Sequence, residues 1–126
     1  MKEKFESFCN AINRLKEAVQ SVPTELNRDA TIQRFEFTYE LAWNVLKKYL
    51  AQKGIEVLNP RDCFAEAYQQ KLIEESGEQI WIDMIKSRNL TSHIYNEDIA
   101  KKVYQDIKNK YLIQFEKLKQ ELENKI

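Results

Sequence analysis

Apolar residues recur along this chain at steps of three and four, the spacing that gathers them on one face of an α-helix. From Lys2 to Gln20 the stripe is Phe5, Phe8, Cys9, Ile12, Leu15 and Val19, backed by a charged face. Pro23 stops that helix, and Thr24 to Asp29 reads as a connection with Asp29 as the N-cap of a second helix. Ile32, Phe35, Tyr39, Ala42, Trp43, Leu46 and Leu50 then carry a broad aromatic stripe to Lys53, and Gly54 closes the helix as its C′ residue. Phe37 and Tyr49 fall off the centre of the stripe, so this helix is expected to face a partner as well as its own core.

Asn59-Pro60-Arg61-Asp62 is a helix start, with a capping Asn, Pro at the first position and an acid in the first turn. The pattern predicts a third helix from Pro60 to about Glu75 that buries Phe64, Ala67, Tyr68 and Leu72 and is ended by Gly77. A shorter segment, Ile80 to Ile85, follows. Asn96 with Glu97 and Asp98 opens the last helix, whose stripe of Ile99, Val103, Ile107, Tyr111, Phe115, Leu118 and Leu122 runs nearly to Ile126. The expected class is all-α: one domain over residues 1–126, four main helices packed as an up-and-down bundle, and a short extra helical segment before the last connection.

Composition agrees with that reading. With 126 residues the chain can bury one real core, and its two glycines and two prolines are too few for a sheet or a disordered chain. Twenty basic residues balance twenty acidic ones, so no overall field draws in nucleic acid or membrane; any RNA contact must be local, and neither DNA nor membrane is expected as a partner. The N-terminus lacks the apolar core of a signal peptide, and no apolar run approaches the roughly 20 residues that span a bilayer, so a cytoplasmic protein is expected. Cys9 and Cys63 form neither a disulfide framework nor a zinc pattern, and Cys9 reads as a small core residue. There is no Walker loop, Gly-rich dinucleotide turn, His-Glu-x-x-His or nucleophilic triad; no metal and no cofactor are expected. The lysines of the last helix, Lys101, Lys102, Lys108 and Lys110, read as solvated surface.

One stretch breaks the helical pattern. Ser87 to Tyr95 clusters an Asn, a Thr and a Ser, which compete for backbone hydrogen bonds, and it holds the only histidine, His93, five residues after Arg88. On an unbroken helix those two side chains would point roughly 140° apart. They converge on one ligand only if the helix ends or bends between them, or if a second copy of the chain supplies the missing group. The alternative is structural: Arg88 pairs with a nearby acid such as Asp83, and His93 fills a polar gap between helices.

Arg88-Asn89-Leu90-Thr91-Ser92-His93-Ile94-Tyr95 resembles the R-x4-H-x-Y signature of HEPN toxins of the HepT type, partners of minimal nucleotidyltransferases in prokaryotic toxin–antitoxin pairs. The segment Arg34 to Trp43 and the helix start Asn59 to Asp62 look like the same subfamily, and the resemblance covers essentially the whole chain. It implies a homodimeric four-helix bundle in which Arg and His of both copies meet at the dimer cleft and act as a metal-independent ribonuclease. Chemistry read without the family points the same way: cleavage by a ribose 2′-OH needs a base, often an acid, and a cation on the phosphate, whereas one chain offers one imidazole. A symmetric dimer offers two.

On this reading His93 is the general base or acid, since an imidazole titrates in the neutral range, and Arg88 binds the scissile phosphate bidentately. Asn89 and Ser92 orient these groups or cap a helix. Tyr95 corresponds to the tyrosine that, in the resembling family, accepts AMP groups from the partner nucleotidyltransferase and so silences the toxin. Its plain alternative is an interhelical packing ring with a wet hydroxyl. Two other classes stay open: a non-catalytic subunit that captures a nucleotide or acceptor for a two-component nucleotidyltransferase, and a helical adaptor whose motif is structural.

Overall fold

The computed structural model describes all 126 residues, and it is built of helices and turns alone. α1 (Lys2–Gln20) follows the first stripe and buries Phe8, Ala11, Ile12, Leu15 and Ala18. α2 (Glu25–Gln52) packs along α1 and begins one turn earlier than expected. Its N-cap is Thr24, whose hydroxyl accepts from the Asn27 amide at 3.1 Å, and Asp29 lies inside the helix. Asn27 also reaches back across Pro23 to donate to the Val22 carbonyl at 2.7 Å, which ties the connection to the start of α2. Of the two aromatics off the α2 stripe, Tyr49 is buried and Phe37 lies half-buried beneath the Arg14 guanidinium of α1.

The third helix is shorter than the pattern predicts, and the segment after it is longer. α3 (Pro60–Gln69) starts at Asn59 as expected, with the Asp62 amide donating to the Asn59 side chain at 2.9 Å. It stops at Gln69 because Lys71 turns left-handed at φ 63°, the Leu72 amide donates to the Ala67 carbonyl, and the Lys71 amide donates to Tyr68. This is a complete Schellman closure with lysine where glycine is usual, sealed by burial of Leu72. α2 ends in the same way, with Gly54 at φ 80° and the Ile55 amide on the Leu50 carbonyl. α4 (Glu75–Leu90) therefore has room for 16 residues, and Ile80 to Ile85 is its middle. Gly77 ends nothing: it sits in the first turn of α4, where a Cβ would come within 2.5 Å of the buried Gln114 side chain.

After a 3₁₀ turn at Thr91–His93, one long rod closes the fold. It consists of α5 (Glu97–Asp106), a π-helical turn (Ile107–Tyr111) and α6 (Leu112–Glu123). Its apolar residues explain the wide turn. Ile99, Val103, Ile107, Tyr111 and Phe115 are spaced by four, and each four-residue step overshoots an α-helical turn by about 40°. The stripe would slide about 160° around a regular helix over that span, and one extra residue in a turn brings it back to the core. Tyr111, at the end of the π turn, meets the buried Ser87 hydroxyl of α4 at 2.6 Å.

The bundle is thus α1, α2, α4 and the α5–α6 rod, with α3 as the short addition: five helical rods, all-α as expected. Aromatic rings knit them together. Phe35 of α2 stacks on Tyr111 at 5.4 Å and meets Phe115 of α6, while Trp81 of α4 joins Phe64 of α3 to Phe115. Each such pair adds about 0.5–1.5 kcal/mol beyond the area it buries. None of the helices is long and apolar enough to cross a membrane.

The two left-handed closures make opposite predictions. Open space surrounds a Cβ built on Gly54, so Gly54→Ala meets no clash, only the strain of a left-handed φ, and costs about 1 kcal/mol in chemical denaturation. Lys71 is exposed, and Lys71→Gly relieves its strained φ and stabilises the chain by about 0.5–1 kcal/mol. A Lys71→Gly chain less stable than the parent would contradict this account of why α3 stops.

Candidate functional site

α4 ends between Arg88 and His93, so the two motif residues leave their backbone from different structures. The buried Thr91 makes the break. Its amide donates to the Arg88 carbonyl in a tightened last turn, and its hydroxyl donates to the same carbonyl at 2.7 Å. The 3₁₀ turn is closed on the far side by the Asn96 amide on the His93 carbonyl at 3.0 Å. Asn96 then caps α5, its side chain accepting from the Asp98 and Ile99 amides. Ile94, half-buried against the core, pins the middle of the corner.

The Arg88 side chain turns toward α2, not toward Asp83. Its Nη1 donates to the Thr91 hydroxyl at 3.1 Å and lies 3.4 Å from Glu36 Oε2, while Nε lies 3.5 Å from Glu40 Oε1 without hydrogen-bond geometry. Asp83 instead accepts from Gln79 on its own helix. Glu36 and Glu40 are four residues apart on α2 and so present one face to Arg88. Glu40 is itself held by the Trp43 indole N–H at 3.2 Å. Nη2 of Arg88 donates no hydrogen bond within the chain, and the side chain keeps about a third of its surface, 35%, in solvent.

His93 is exposed and fills no gap between helices. Its Nδ1 stands 3.3 Å from the Tyr95 hydroxyl, and the two rings meet edge to face at 5.9 Å. Tyr95 is 84% exposed, so it is no interhelical packing ring. Asn89 and Ser92 are exposed too; the Ser92 hydroxyl donates to the Asn89 carbonyl at 3.4 Å, and neither side chain hydrogen-bonds Arg88 or His93. Within one chain no hydrogen bond joins Arg88 to His93.

Other reactive groups are shut away. Burial pushes the Cys63 thiol and the Tyr39 and Tyr111 phenols up to about 12, with the Glu40 charge adding to the effect on Tyr39. Burial also raises the Cys9 thiol. Thiols and phenols held neutral in this way are poor nucleophiles at neutral pH. No three His, Cys, Asp or Glu side chains gather closely enough to hold a metal ion. The corner from Arg88 to Tyr95, by contrast, leaves an imidazole and a phenol open to solvent.

The family model described as nucleotidyltransferase substrate binding protein like matches residues 3–124. The chain belongs to that family. Within this nucleotidyltransferase substrate-binding-like family, the chain is 35% identical over 81 residues to a Haemophilus influenzae protein named "Probable ribonuclease HepT". That match takes in 60% of this chain and 54% of the relative, so the chain spans about half the length of the curated relative. A crystal structure from Thermus thermophilus superposes with a TM-score of 0.83 at 31% identity, covering 88% of this chain and 94% of that one. A second, from Haemophilus influenzae, is described as revealing the fold of a substrate binding domain of a nucleotidyltransferase; its TM-score is 0.82 at 26% identity, over 94% and 98% of the two chains. These likenesses agree with the HepT-like HEPN resemblance of the motif.

Two residues at this corner of the nucleotidyltransferase substrate-binding-like fold were passed over in the sequence, Glu36 and Glu40, and Thr91 was read as part of the helix break but not as a partner of Arg88. The signal for the acids was present, two glutamates a helical turn apart on the flank of an otherwise apolar stripe. Replacing Thr91 with the isosteric valine keeps the backbone bond to Arg88 but removes the hydroxyl that links carbonyl and guanidinium. Thr91→Val is expected to cost about 1 kcal/mol in denaturation, and an unchanged midpoint would mean the hydroxyl does not hold the corner.

Proposed function

We propose that this chain is the toxin half of a toxin–antitoxin pair, a metal-independent endoribonuclease that works as a homodimer and is partnered by a minimal nucleotidyltransferase. The observation that carries the reading is the exposed corner itself. In this chain, similar to a protein named as a probable ribonuclease, Arg88, His93 and Tyr95 stand on one solvent-facing corner, with the imidazole 3.3 Å from the phenol. Nothing in the packing of the bundle requires an imidazole there.

The proposed chemistry is transesterification. One imidazole takes the proton of a ribose 2′-OH, the 2′-oxygen bonds the adjacent phosphorus, and the bond to the 5′-oxygen breaks as that oxygen accepts a proton. The products are a 2′,3′-cyclic phosphate and a 5′-OH. One chain supplies one imidazole, so the acid comes from His93 of a symmetric copy. Arg88 stabilises charge on the phosphate oxygens. With Nη1 already facing Thr91 and Glu36, Nη2 is the nitrogen it offers first, and a bidentate grip requires Glu40 to yield Nε. Asn89 and Ser92 act on the surrounding backbone and not on the reacting groups.

Tyr95 is the proposed switch. Its exposed oxygen bonds the α-phosphorus of ATP held by the partner, pyrophosphate leaves, and the phenolic proton passes to a base, for which His93 Nδ1 is in reach. The adduct sets a phosphate charge and a nucleoside beside His93, where the RNA phosphate would lie. A second reading, a non-catalytic subunit that captures a nucleotide or acceptor for the partner, is favoured by the family's description and by the two carboxylates that already occupy Arg88.

Cleavage of RNA in EDTA by purified, unmodified protein separates these readings. The wild type is expected to leave 2′,3′-cyclic phosphate ends, and His93→Ala and Arg88→Ala, each checked for folding and dimerisation, are expected to lose about a hundredfold or more. Absence of cleavage by the wild type would leave the substrate-binding reading. Incubation with the partner nucleotidyltransferase and ATP is expected to add AMP to Tyr95 by mass spectrometry and to stop cleavage, while Tyr95→Phe takes no adduct and keeps cutting. An adduct elsewhere, or none, would remove Tyr95 as the switch.

A further inference from the structure

The least expected feature of the corner is the company Arg88 keeps. Two carboxylates approach one guanidinium, at 3.4 Å and 3.5 Å, so the spot where a phosphate would bind carries a net charge of minus one before any ligand arrives. Neither acid is needed to satisfy a buried core: the side chains of Glu36 and Glu40 are 33% and 46% exposed. Glu40 is nevertheless held beside the guanidinium by the Trp43 indole, the guanidinium itself is held by Thr91, and Glu36 lies against Nη1.

We propose that Glu36 and Glu40 are specificity-determining residues of this site. They hold the Arg88 guanidinium in place and, by leaving its surroundings negative, favour the singly charged phosphodiester of an internal RNA linkage over doubly charged phosphate monoesters such as free nucleotides. The inference rests on the reading of Arg88 as the phosphate-binding residue of a ribonuclease. A phosphodiester carries one charge, whereas a monoester at neutral pH carries nearly two. Repulsion from each carboxylate scales with the ligand's charge, so the two acids penalise a monoester about twice as much in free energy as a diester. The site lies partly in solvent, which screens the repulsion to a modest factor without changing its order. A toxin working among free nucleotides needs that order, because an unguarded arginine on an exposed corner binds the densest phosphate charge available.

The test measures affinities for two probes in one buffer at fixed ionic strength: AMP, and a 2′-O-methyl RNA oligonucleotide without terminal phosphates, which binds but cannot be cut. Glutamine keeps the size of glutamate and an accepting oxygen, so Glu36→Gln, Glu40→Gln and the double variant remove charge with little change of shape. Glu75→Gln, a remote exposed acid of α4, controls for net charge. The double variant is expected to bind AMP about tenfold more tightly and the oligonucleotide about threefold more tightly, while Glu75→Gln leaves both unchanged. In cleavage assays KM and kcat should both fall, KM from the lost repulsion and kcat from a less firmly held guanidinium; a purely structural pair of acids would move the melting temperature and leave the AMP-to-RNA ratio alone.

A double variant whose affinity ratio equals that of the wild type, or that gains nothing for AMP, overturns the inference. If the wild type binds the oligonucleotide but cuts no RNA, the ribonuclease reading falls while the ratio still decides the role of the acids. If the wild type cuts RNA and the ratio does not move, the ribonuclease reading stands and this inference alone fails.

Discussion

The corner from Arg88 to Tyr95 depends on one hydroxyl. Thr91 sits buried at the point where α4 stops, and its Oγ donates to the Arg88 carbonyl while accepting from the Arg88 guanidinium. The first bond tightens the last turn and rotates the chain out of helical register; the second points the arginine inward along α2. Had α4 continued, His93 would point roughly 140° away from Arg88, while Tyr95, nearly two full turns on, would come back to within roughly 20° of the Arg88 face. A single residue of helix-interrupting type thus decides that an arginine anchored on the bundle and a histidine exposed to solvent lie on one corner.

That corner can be rigid only if α4 is held along its length, and the core supplies this from the opposite side. Trp81 joins the ring cluster of α3 and α6, Gly77 lets α4 come close enough for the buried Gln114 to fill the space a methyl would need, and Ser87 meets Tyr111 one residue before Arg88. Tyr111 reaches Ser87 because the π turn ends there. The irregular turn in the last rod and the break after α4 are therefore linked features: the first fixes the face of α4 that faces inward, and the second uses the face that remains.

Much of this was legible in the sequence where a residue type has one physical use. The first helix, the Asn59-Pro60 start, the Gly54 closure and the Asn96 cap follow from periodicity and capping chemistry, and the structure keeps them all. The misreadings have a common cause, a residue doing by tertiary context what another type does by itself. Lys71 adopts the left-handed closure that glycine normally marks, held by the burial of Leu72, so α3 looked longer than it is. Gly77 looked like a terminator because its use, close approach to Gln114, is invisible without the partner helix. The π turn, by contrast, was written in the chain: four consecutive four-residue steps cannot stay on one face of a regular helix. At the site, the break between Arg88 and His93 could be read from Asn, Thr and Ser, but the acids that face Arg88 come from a helix some 50 residues earlier, and no spacing rule connects them.

The placement of those acids bears on how one corner could be both a phosphate site and a controllable one. An arginine with no counter-charge would be free to move and would hold phosphate of any kind, including that of an attached nucleotide; an arginine buried in a full ion pair would hold none. Here Nη1 is hydrogen-bonded to Thr91, the carboxylates lie against Nη1 and Nε, and Nη2 is left, with both carboxylates still partly in water, where such contacts are individually weak. The guanidinium is therefore oriented at little thermodynamic cost to the ligand that displaces a neighbour. A covalently attached group on Tyr95 needs no intrinsic affinity to compete at such a site, since its effective concentration beside His93 is set by the bond and not by binding. On the proposed reading, weak capture of free phosphate and strong blockade by a tethered one are compatible for this reason, and both would follow from an arginine that is only partly neutralised.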